Sequence, residues 1–324
     1  MLPTLAPEPF DSPDHLFELK WGGVRALAYV QRTHLRLQAR NLRDLSPLYP
    51  ELAGLPHQLR ARSALLDGEI VALGPEGHPD FSLQRSRLAS CLLKPPAKRP
   101  AAAEISYQAF DVLFLDGRSL LNRPLAERKS ILRDVLEPSQ AAQVCDFIED
   151  EGIAFFEAAV EHKLEGIVAK EKGSLYFPAR RSPAWLEVRA LQGGEFVIGG
   201  YTFGGGRRRD PFQGLLLGAY RGGRLRYVGQ VSGGYSDEEA AGLAGLLSKM
   251  HVARCPFVEP PAIQRFIFWV KPQVVCQVRF SHWSPQGRLR FPVFAGLRTD
   301  VSPQDCFAEQ APPPPPRPRR GPLS

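Results

Sequence analysis

The sequence predicts an α+β protein of two domains: a mixed strand-and-helix domain over 1–190 and a smaller β-barrel domain over 191–308. Three observations carry that prediction. In the first part, near-continuous apolar strands bearing isolated acids, Leu65–Leu73 and Glu165–Lys170, alternate with helix-length amphipathic segments. Leu191-Gln192-Gly193-Gly194 then reads as a hinge. Beyond it the pattern changes to short strands around a single helix, followed from 309 by a proline- and arginine-rich tail.

The elements follow in order. Residues 1–16, rich in proline and acid, read as an extended lead-in. Phe17-Glu18-Leu19-Lys20-Trp21 reads as a strand, Gly22-Gly23 as a tight turn that paired glycines make without steric cost, and Ala26–Val30 as the return strand of a hairpin. Lys20 thus stands at a hairpin edge, with the cation Arg25 following. An amine attacks only when unprotonated, so a nucleophilic Lys20 needs its pKa lowered by burial or by nearby positive charge; otherwise it is a solvated strand-edge lysine. His34–Ala39 alternates as a half-buried strand and ends at Arg40, before a polar turn through Asp44.

Leu65–Leu73 is apolar except for Asp67 and Glu69. A carboxylate inside a doubly buried strand is costly unless it is paired or binds a metal, which makes Glu69 a site candidate or half of a structural ion pair. Ser82–Leu93 reads as a short helix and 94–103 as a loop. Ile105–Leu115 reads as a strand closed by an Asp116-Gly117 turn, with Phe110 inside it. A helix capped by Asn122 runs to about Leu136, and a second covers Glu149–Lys163. Glu165–Lys170 is a strand with an acid at its start and a lysine at its end, and Trp185–Arg189 alternates as another. Acids for a divalent ion, cations for phosphates and one nucleophilic lysine make the inventory of metal-assisted phosphoryl or nucleotidyl transfer.

Past the hinge, Glu195–Phe203, Gly214–Arg221, Arg224–Val231, Ile267–Val270 and Val274–Trp283 read as strands, with Gly222-Gly223 a hairpin turn. The helix over Ser236–Met250 has Ser236 as cap and acids in its first turn. This set predicts a barrel of the oligonucleotide-binding (OB) type. Arg207, Arg208 and Arg209, after three glycines, are either a grip on a phosphate backbone or a solvated loop.

The net charge of +7 and pI near 9.3 favour a polyanionic partner, although Arg317, Arg319 and Arg320 lie in the tail. The five cysteines (Cys91, Cys145, Cys255, Cys276, Cys306) form no CxxC pair, which points away from a zinc site or a disulfide framework and towards a reducing compartment. No apolar run of about 18 residues predicts a membrane span. The N-terminus lacks a signal-peptide pattern.

Taken together, these residues resemble the ATP-dependent DNA ligases, within the covalent nucleotidyltransferases that include RNA ligases and mRNA capping enzymes. The likeness runs from about Leu2 to Asp300 and is strongest to the ligase module of bacterial end-joining ligases. The family's K-x-D-G-x-R reads Lys20-Trp21-Gly22-Gly23-Val24-Arg25 here. Leu66-Asp67-Gly68-Glu69, Phe110, Glu165–Lys170, Trp185–Arg189 and Leu289–Asp300 follow in order, with an additional signature at Leu115–Arg118 and Pro124–Lys129. The resemblance implies a nucleotidyltransferase fold of the DNA ligase and capping-enzyme type, followed by an OB-fold domain. It implies that Lys20 is the nucleophile that takes AMP from ATP. Glu18 would read the adenine amine and Phe110 stack on the base, with Arg40 and Glu69 at the ribose. Lys170 and Arg189 would hold the α-phosphate, Arg25 the sugar or DNA phosphate, and Arg298 the pyrophosphate. Glu69 and Glu165 would hold Mg²⁺ or Mn²⁺. The implied substrate is nicked or broken double-stranded DNA in repair and recombination, the implied partners are end-binding or polymerase proteins of non-homologous end joining, and the implied setting is the bacterial cytosol or nucleoid, with the chain a monomer.

Four positions depart from the family pattern. Gly22 stands where the family has aspartate, Glu187 where it has lysine, Val301 where it has lysine after Asp300, and Leu42 where it has glycine. Glu187 and Val301 each remove a cation from triphosphate handling, so lysines at both are expected to raise adenylation. The readings are therefore a working ATP-dependent DNA ligase, a degenerate ligase that serves as a DNA-binding repair module, and, disfavoured by the Asp116–Arg118 and Arg128-Lys129 signature, a capping or RNA-joining enzyme.

Overall fold

The computed structural model describes residues 1–74, 79, 83–84, 87–88, 104–162, 164–190, 192–203, 211–263 and 266–307. Two compact units divide the chain, one built from Met1–Arg87 with Lys98–Leu191 and the other from Leu88–Ala97 with Gln192–Ser324.

The first unit has strands β1 (Leu2–Leu5), β2 (Ser12–Leu19), β3 (Val24–Gln31), β4 (His34–Ala39), β5 (Ser63–Leu73), β6 (Glu104–Leu115), β7 (Arg118–Ser119), β8 (Ala142–Val144), β9 (Phe147–Asp150), β10 (Gly166–Glu171) and β11 (Arg181–Arg189). Its α-helices are α1 (Leu125–Val135) and α2 (Gly152–Glu161). The strands form two sheets, ordered β1-β11-β10-β2-β9 and β4-β3-β5-β6-β7, with β8 pairing beside β6. Most pairs are antiparallel, while β1 runs parallel to β11 and β8 to β6.

Strand alternation builds two apolar cores on the first sheet. Leu16 turns one way, into a cluster with Phe110, Leu113, Leu125, Tyr176 and Trp185. Phe17 turns the other way and packs with Ala159 of α2, Ile167, Ala169 and Val188. The expected lead-in is partly strand: β1 pairs along Arg181–Glu187, and Met1 is buried. Asn122 caps nothing, since α1 begins after Pro124 without a side-chain cap. The second helix is shorter than expected because Phe147–Asp150 extends instead, pairing with β2.

The expected hairpin at Gly22-Gly23 is not one. β2 belongs to the first sheet and β3 to the second, so this turn carries the chain from one sheet to the other. Gly22 sits at φ +62°. A Cβ on Gly23 would come within 2.2 Å of the Ile70 carbonyl oxygen, so the pair is needed for a left-handed backbone and for close approach to β5.

The second unit has β12 (Gly193–Phe203), β13 (Gly214–Arg221), β14 (Arg224–Val231), α3 (Asp237–Leu247), β15 (Phe266–Arg279), β16 (His282–Trp283), β17 (Leu289–Arg290) and β18 (Val293–Arg298). The Gly222-Gly223 turn has φ +57° and +72°, the conformation a tight hairpin requires. Ser236 caps α3 in a reciprocal capping box with Glu239. The strands expected at Ile267–Val270 and Val274–Trp283 merge as far as Arg279 into the single long β15, and His282-Trp283 is the separate β16. The sheet order β14-β13-β12-β15-β18 leaves β14 and β18 as open edges among the described residues, so the sheet curls without closing into the expected barrel. The physical reason is that Leu289 of β17 and Ala240, Leu243 and Leu247 of α3 fill its apolar concavity and satisfy the core without edge-to-edge pairing.

Candidate active site

The site grows from the inner face of the first sheet. Because alternate residues share a face, the register aligns Leu16, Lys170 and Trp185 in one row, and Glu18, Val168 and Glu187 in the next. A third row forms where the Lys20 N–H donates to the Gly166 carbonyl at 2.9 Å and Gly166 pairs with Arg189. Three strands thus bring Glu18, Lys20, Lys170, Glu187 and Arg189 together, and Glu165 joins them at the start of β10.

Carboxylates surround Lys20. Its Nζ donates to Glu165 Oε2 at 2.6 Å and lies 3.6 Å from Glu187 Oε1. Burial alone would lower the Lys20 pKa, but the Glu165, Glu187 and Glu69 charges outweigh it and hold the amine above its ordinary value. This reverses the expectation that burial and neighbouring cations would prepare it for attack. Arg189 binds the same acid: its Nε donates to Glu187 Oε1 at 2.7 Å and its Nη2 to Oε2 at 3.2 Å. Burial opposes the Glu187 charge, yet Lys20 and Arg189 hold its carboxyl down at about 2.

Glu18 is locked from two sides, by Lys170 at 2.8 Å and by Lys129 of α1 at 2.7 Å. Burial, reinforced by Lys129, lowers the Lys170 pKa against the pull of Glu18. Lys170 Nζ also stands over the rings of Phe110 (4.1 Å) and Trp185 (4.4 Å), which meet edge to face. Sequence reasoning placed Lys129 only in a family signature and missed its contact with Glu18. Arg128 and Lys129 are both buried, which residue type on a helix did not signal.

On the facing sheet, Arg25 makes a two-pronged bond to Asp67, Nε to Oδ1 at 3.0 Å and Nη2 to Oδ2 at 2.6 Å. The Tyr176 hydroxyl donates to Asp67 Oδ2 at 2.7 Å. Burial disfavours the Asp67 charge, but the Arg25 guanidinium and Tyr176 hydroxyl outweigh it and keep the carboxyl below its usual range. The Arg25 guanidinium also stands 5.4 Å from the Phe110 ring centre. Glu69 pairs across from Arg25 in the β3–β5 ladder and is half-buried, as is Arg40 just past β4. Leu42 holds φ +67° with 73% of its surface exposed.

In the second unit, Arg298 binds Asp300 with both prongs (2.9 and 2.6 Å) and donates to Gln277. Val301 is buried among Val197, Leu216, Phe257 and Val275, so the position is a core position there and not an exposed seat for a cation. Arg207, Arg208 and Arg209, the helix expected at Ser82–Leu93 in most of its length, and the tail lie outside the described residues.

Among the described residues no three His, Cys, Asp or Glu side chains converge into a ready-made cation cage. Glu165 nevertheless reaches one cation, the Lys20 ammonium, at 2.6 Å, and the Glu69 carboxylate adds its charge at the same amine. Such hard oxygen donors fit a small divalent ion held by one or two carboxylates and completed by nucleotide phosphates.

Two facing sheets with an internal lysine strand-end define a nucleotidyltransferase fold of mixed α and β structure. The chain belongs to the ATP-dependent DNA ligase family: residues 6–189 match the ATP-dependent DNA ligase domain and residues 208–301 its C-terminal region. It is 35% identical over 295 residues to the multifunctional non-homologous end joining DNA repair protein LigD of Mycobacterium tuberculosis, covering 90% of this chain and 37% of that protein. It is 31% identical over 307 residues to the LigD of Pseudomonas aeruginosa, covering 93% of this chain and 35% of that protein. The chain therefore spans little more than a third of the length of these relatives. Among solved structures it is similar to mycobacterial DNA ligase D complexed with ATP and MES, at TM-score 0.64 and 32% identity, covering 95% of this chain and 97% of that one. No helix among the described residues is long and apolar enough to cross a membrane.

Proposed function

We propose that this chain is an ATP-dependent DNA ligase module that seals breaks in double-stranded DNA through an adenylate carried on Lys20. The observation that carries this reading is the convergence of Lys20, Glu165 and Arg189 on one sheet face, in a ligase-family chain similar to a structure holding ATP. Lys20 Nζ gives up its proton to solvent and attacks the α-phosphorus of ATP; a nitrogen–phosphorus bond forms, the bond to the bridging oxygen breaks and pyrophosphate leaves. The AMP passes to the 5′-phosphate of the break, and the 3′-hydroxyl then displaces it. Catalysis rests on positioning and charge neutralisation.

Phe110 stacks on the adenine, and Glu18 reads its amine. The position of Lys170, against Glu18 and over Phe110, supports a place on the base side of the nucleotide, with Arg189 as the α-phosphate cation. Arg40 and Glu69 serve the ribose, Arg25 the sugar or DNA phosphate, Arg298 the pyrophosphate, and Arg207–Arg209 the DNA backbone. Glu165 and Glu69 would hold Mg²⁺ or Mn²⁺, which supplies neutralisation of phosphate charge. Residues 1–190 form the adenylation domain and 191–308 the C-terminal ligase domain. The setting is end joining in the bacterial cytosol, with the chain a monomer beside end-binding or polymerase partners.

The hold of Glu187 on Lys20 and Arg189 favours a second reading, a ligase-fold DNA-binding module that no longer seals. Incubation with α-labelled ATP and Mg²⁺ or Mn²⁺ separates the two. The ligase reading expects covalent label that Lys20→Ala abolishes; no label under either metal sinks it.

A further inference from the structure

Glu187 already answers the charge of the two cations that the ligase reading sets against the α-phosphate. Its carboxylate is 7% exposed, lies 3.6 Å from Lys20 Nζ, and takes both prongs of Arg189. It stands on the inner face of β11, in the same row as Glu18. An incoming α-phosphate needs the same partners and carries the same sign. The two anions therefore compete for one seat, in a half-buried setting where screening by water is weak.

We propose that Glu187 is a specificity-determining residue, an internal anion that a bound phosphate must displace from Lys20 and Arg189, and that it biases this site towards 5′-adenylated DNA over ATP. The proposal rests on the ligase reading. ATP brings the charge of a whole triphosphate against the carboxylate. The pyrophosphate bridge of a DNA adenylate brings less, so the same repulsion weighs less on it. Sealing an adenylated break also needs no new bond to Lys20. The 3′-hydroxyl oxygen attacks the 5′-phosphorus of the DNA and a phosphorus–oxygen bond forms. The bond to the oxygen of AMP breaks with its electron pair, AMP leaves, and the hydroxyl proton passes to solvent. An acid holding Lys20 obstructs the first step of ligation and leaves this last one open.

The test compares two rates in the full chain: formation of lysine–AMP from ATP and Mg²⁺, and ATP-free sealing of a pre-adenylated nicked duplex. In the wild type the second is expected to exceed the first by about tenfold or more. Glu187→Gln keeps the shape and removes the charge. It is expected to tighten ATP binding and to raise lysine–AMP formation relative to nick sealing by about tenfold. A structural loss would lower both rates together and leave their ratio unchanged. An unchanged ratio with unchanged ATP affinity overturns the proposal. Glu187→Lys gives the same comparison if the glutamine variant does not fold. The readings fail separately: wild type without any Lys20-dependent label overturns the ligase reading, whereas Lys20-dependent label with an unmoved ratio overturns only the role of Glu187.

Discussion

Lys129 of α1 and Glu18 of β2 form an ion pair of 2.7 Å in which each side chain is only 2% exposed. Glu18 also holds Lys170, so two helix- and strand-borne cations meet on one acid with water excluded. Removing one partner leaves a buried charge less compensated, which costs about 3–5 kcal/mol where the pair is fully desolvated. Lys129→Met is therefore expected to lower stability by an amount of that order in chemical denaturation. It is also expected to weaken ATP binding, because Glu18 loses one of the groups that orient it. A variant that melts and binds ATP like the wild type would show that the pair does neither.

The two glycines after Lys20 are expected to differ sharply on substitution. Gly23 packs its Cα against the Ile70 carbonyl, and a Cβ there would stand at 2.2 Å. Gly23→Ala forces β3 away from β5 and is expected to cost about 3 kcal/mol or more, as overpacking against rigid backbone does. Gly22, at φ +62°, lies in the left-handed region, which aspartate enters more readily than most residues. Gly22→Asp restores the family's carboxylate and is expected to cost about 1 kcal/mol or less. Paired thermal melts check both, and equal losses would show that the backbone path is not what requires Gly23.

Much of the strand content was legible because it depends on local patterning. β13 and β14 fall where the alternation and the Gly222-Gly223 turn put them. The passage from β2 to β3 was not legible: a strand, two glycines and a strand read alike whether the strands pair with each other or join two sheets. The same gap hid the charge around Lys20. Its residue type and place were visible, but the carboxylates that raise its pKa arrive from the residue before β10, from β11 and from β5, and only tertiary structure brings them in. Lys129 escaped for a related reason, since on an isolated helix a lysine reads as a solvated side chain.

Leu42 offers a gain in stability away from the chemistry. It holds φ +67° with most of its side chain in water, so it takes on the left-handed conformation without packing in return. That conformation costs a residue bearing Cβ about 1–2 kcal/mol, offset in part by the greater freedom of glycine in the unfolded chain. Leu42→Gly is expected to raise stability by about 0.5–1 kcal/mol in calorimetry. A lower melting temperature would mean that the exposed side chain contributes more than its surroundings show.

Val301 separates the departures from the family pattern into two kinds. The sequence suggests that lysines at 187 and 301 together restore triphosphate handling. The structure distinguishes the positions: Glu187 already lies among charged partners, whereas Val301 is 5% exposed and packed against Val197, Leu216 and Phe257. A lysine at 301 puts an ammonium into this apolar cluster of the second unit, and an unpaired polar group so placed costs about 3 kcal/mol or more. Val301→Lys is therefore expected to lower the denaturation midpoint without raising lysine–AMP formation. The Glu187→Lys, Val301→Lys double variant is expected to adenylate less than Glu187→Lys alone, because less of it is folded. Urea titrations run beside labelling with α-labelled ATP decide the point. If Val301→Lys retains wild-type stability and labels faster, the side chain reaches solvent and the position serves the nucleotide after all.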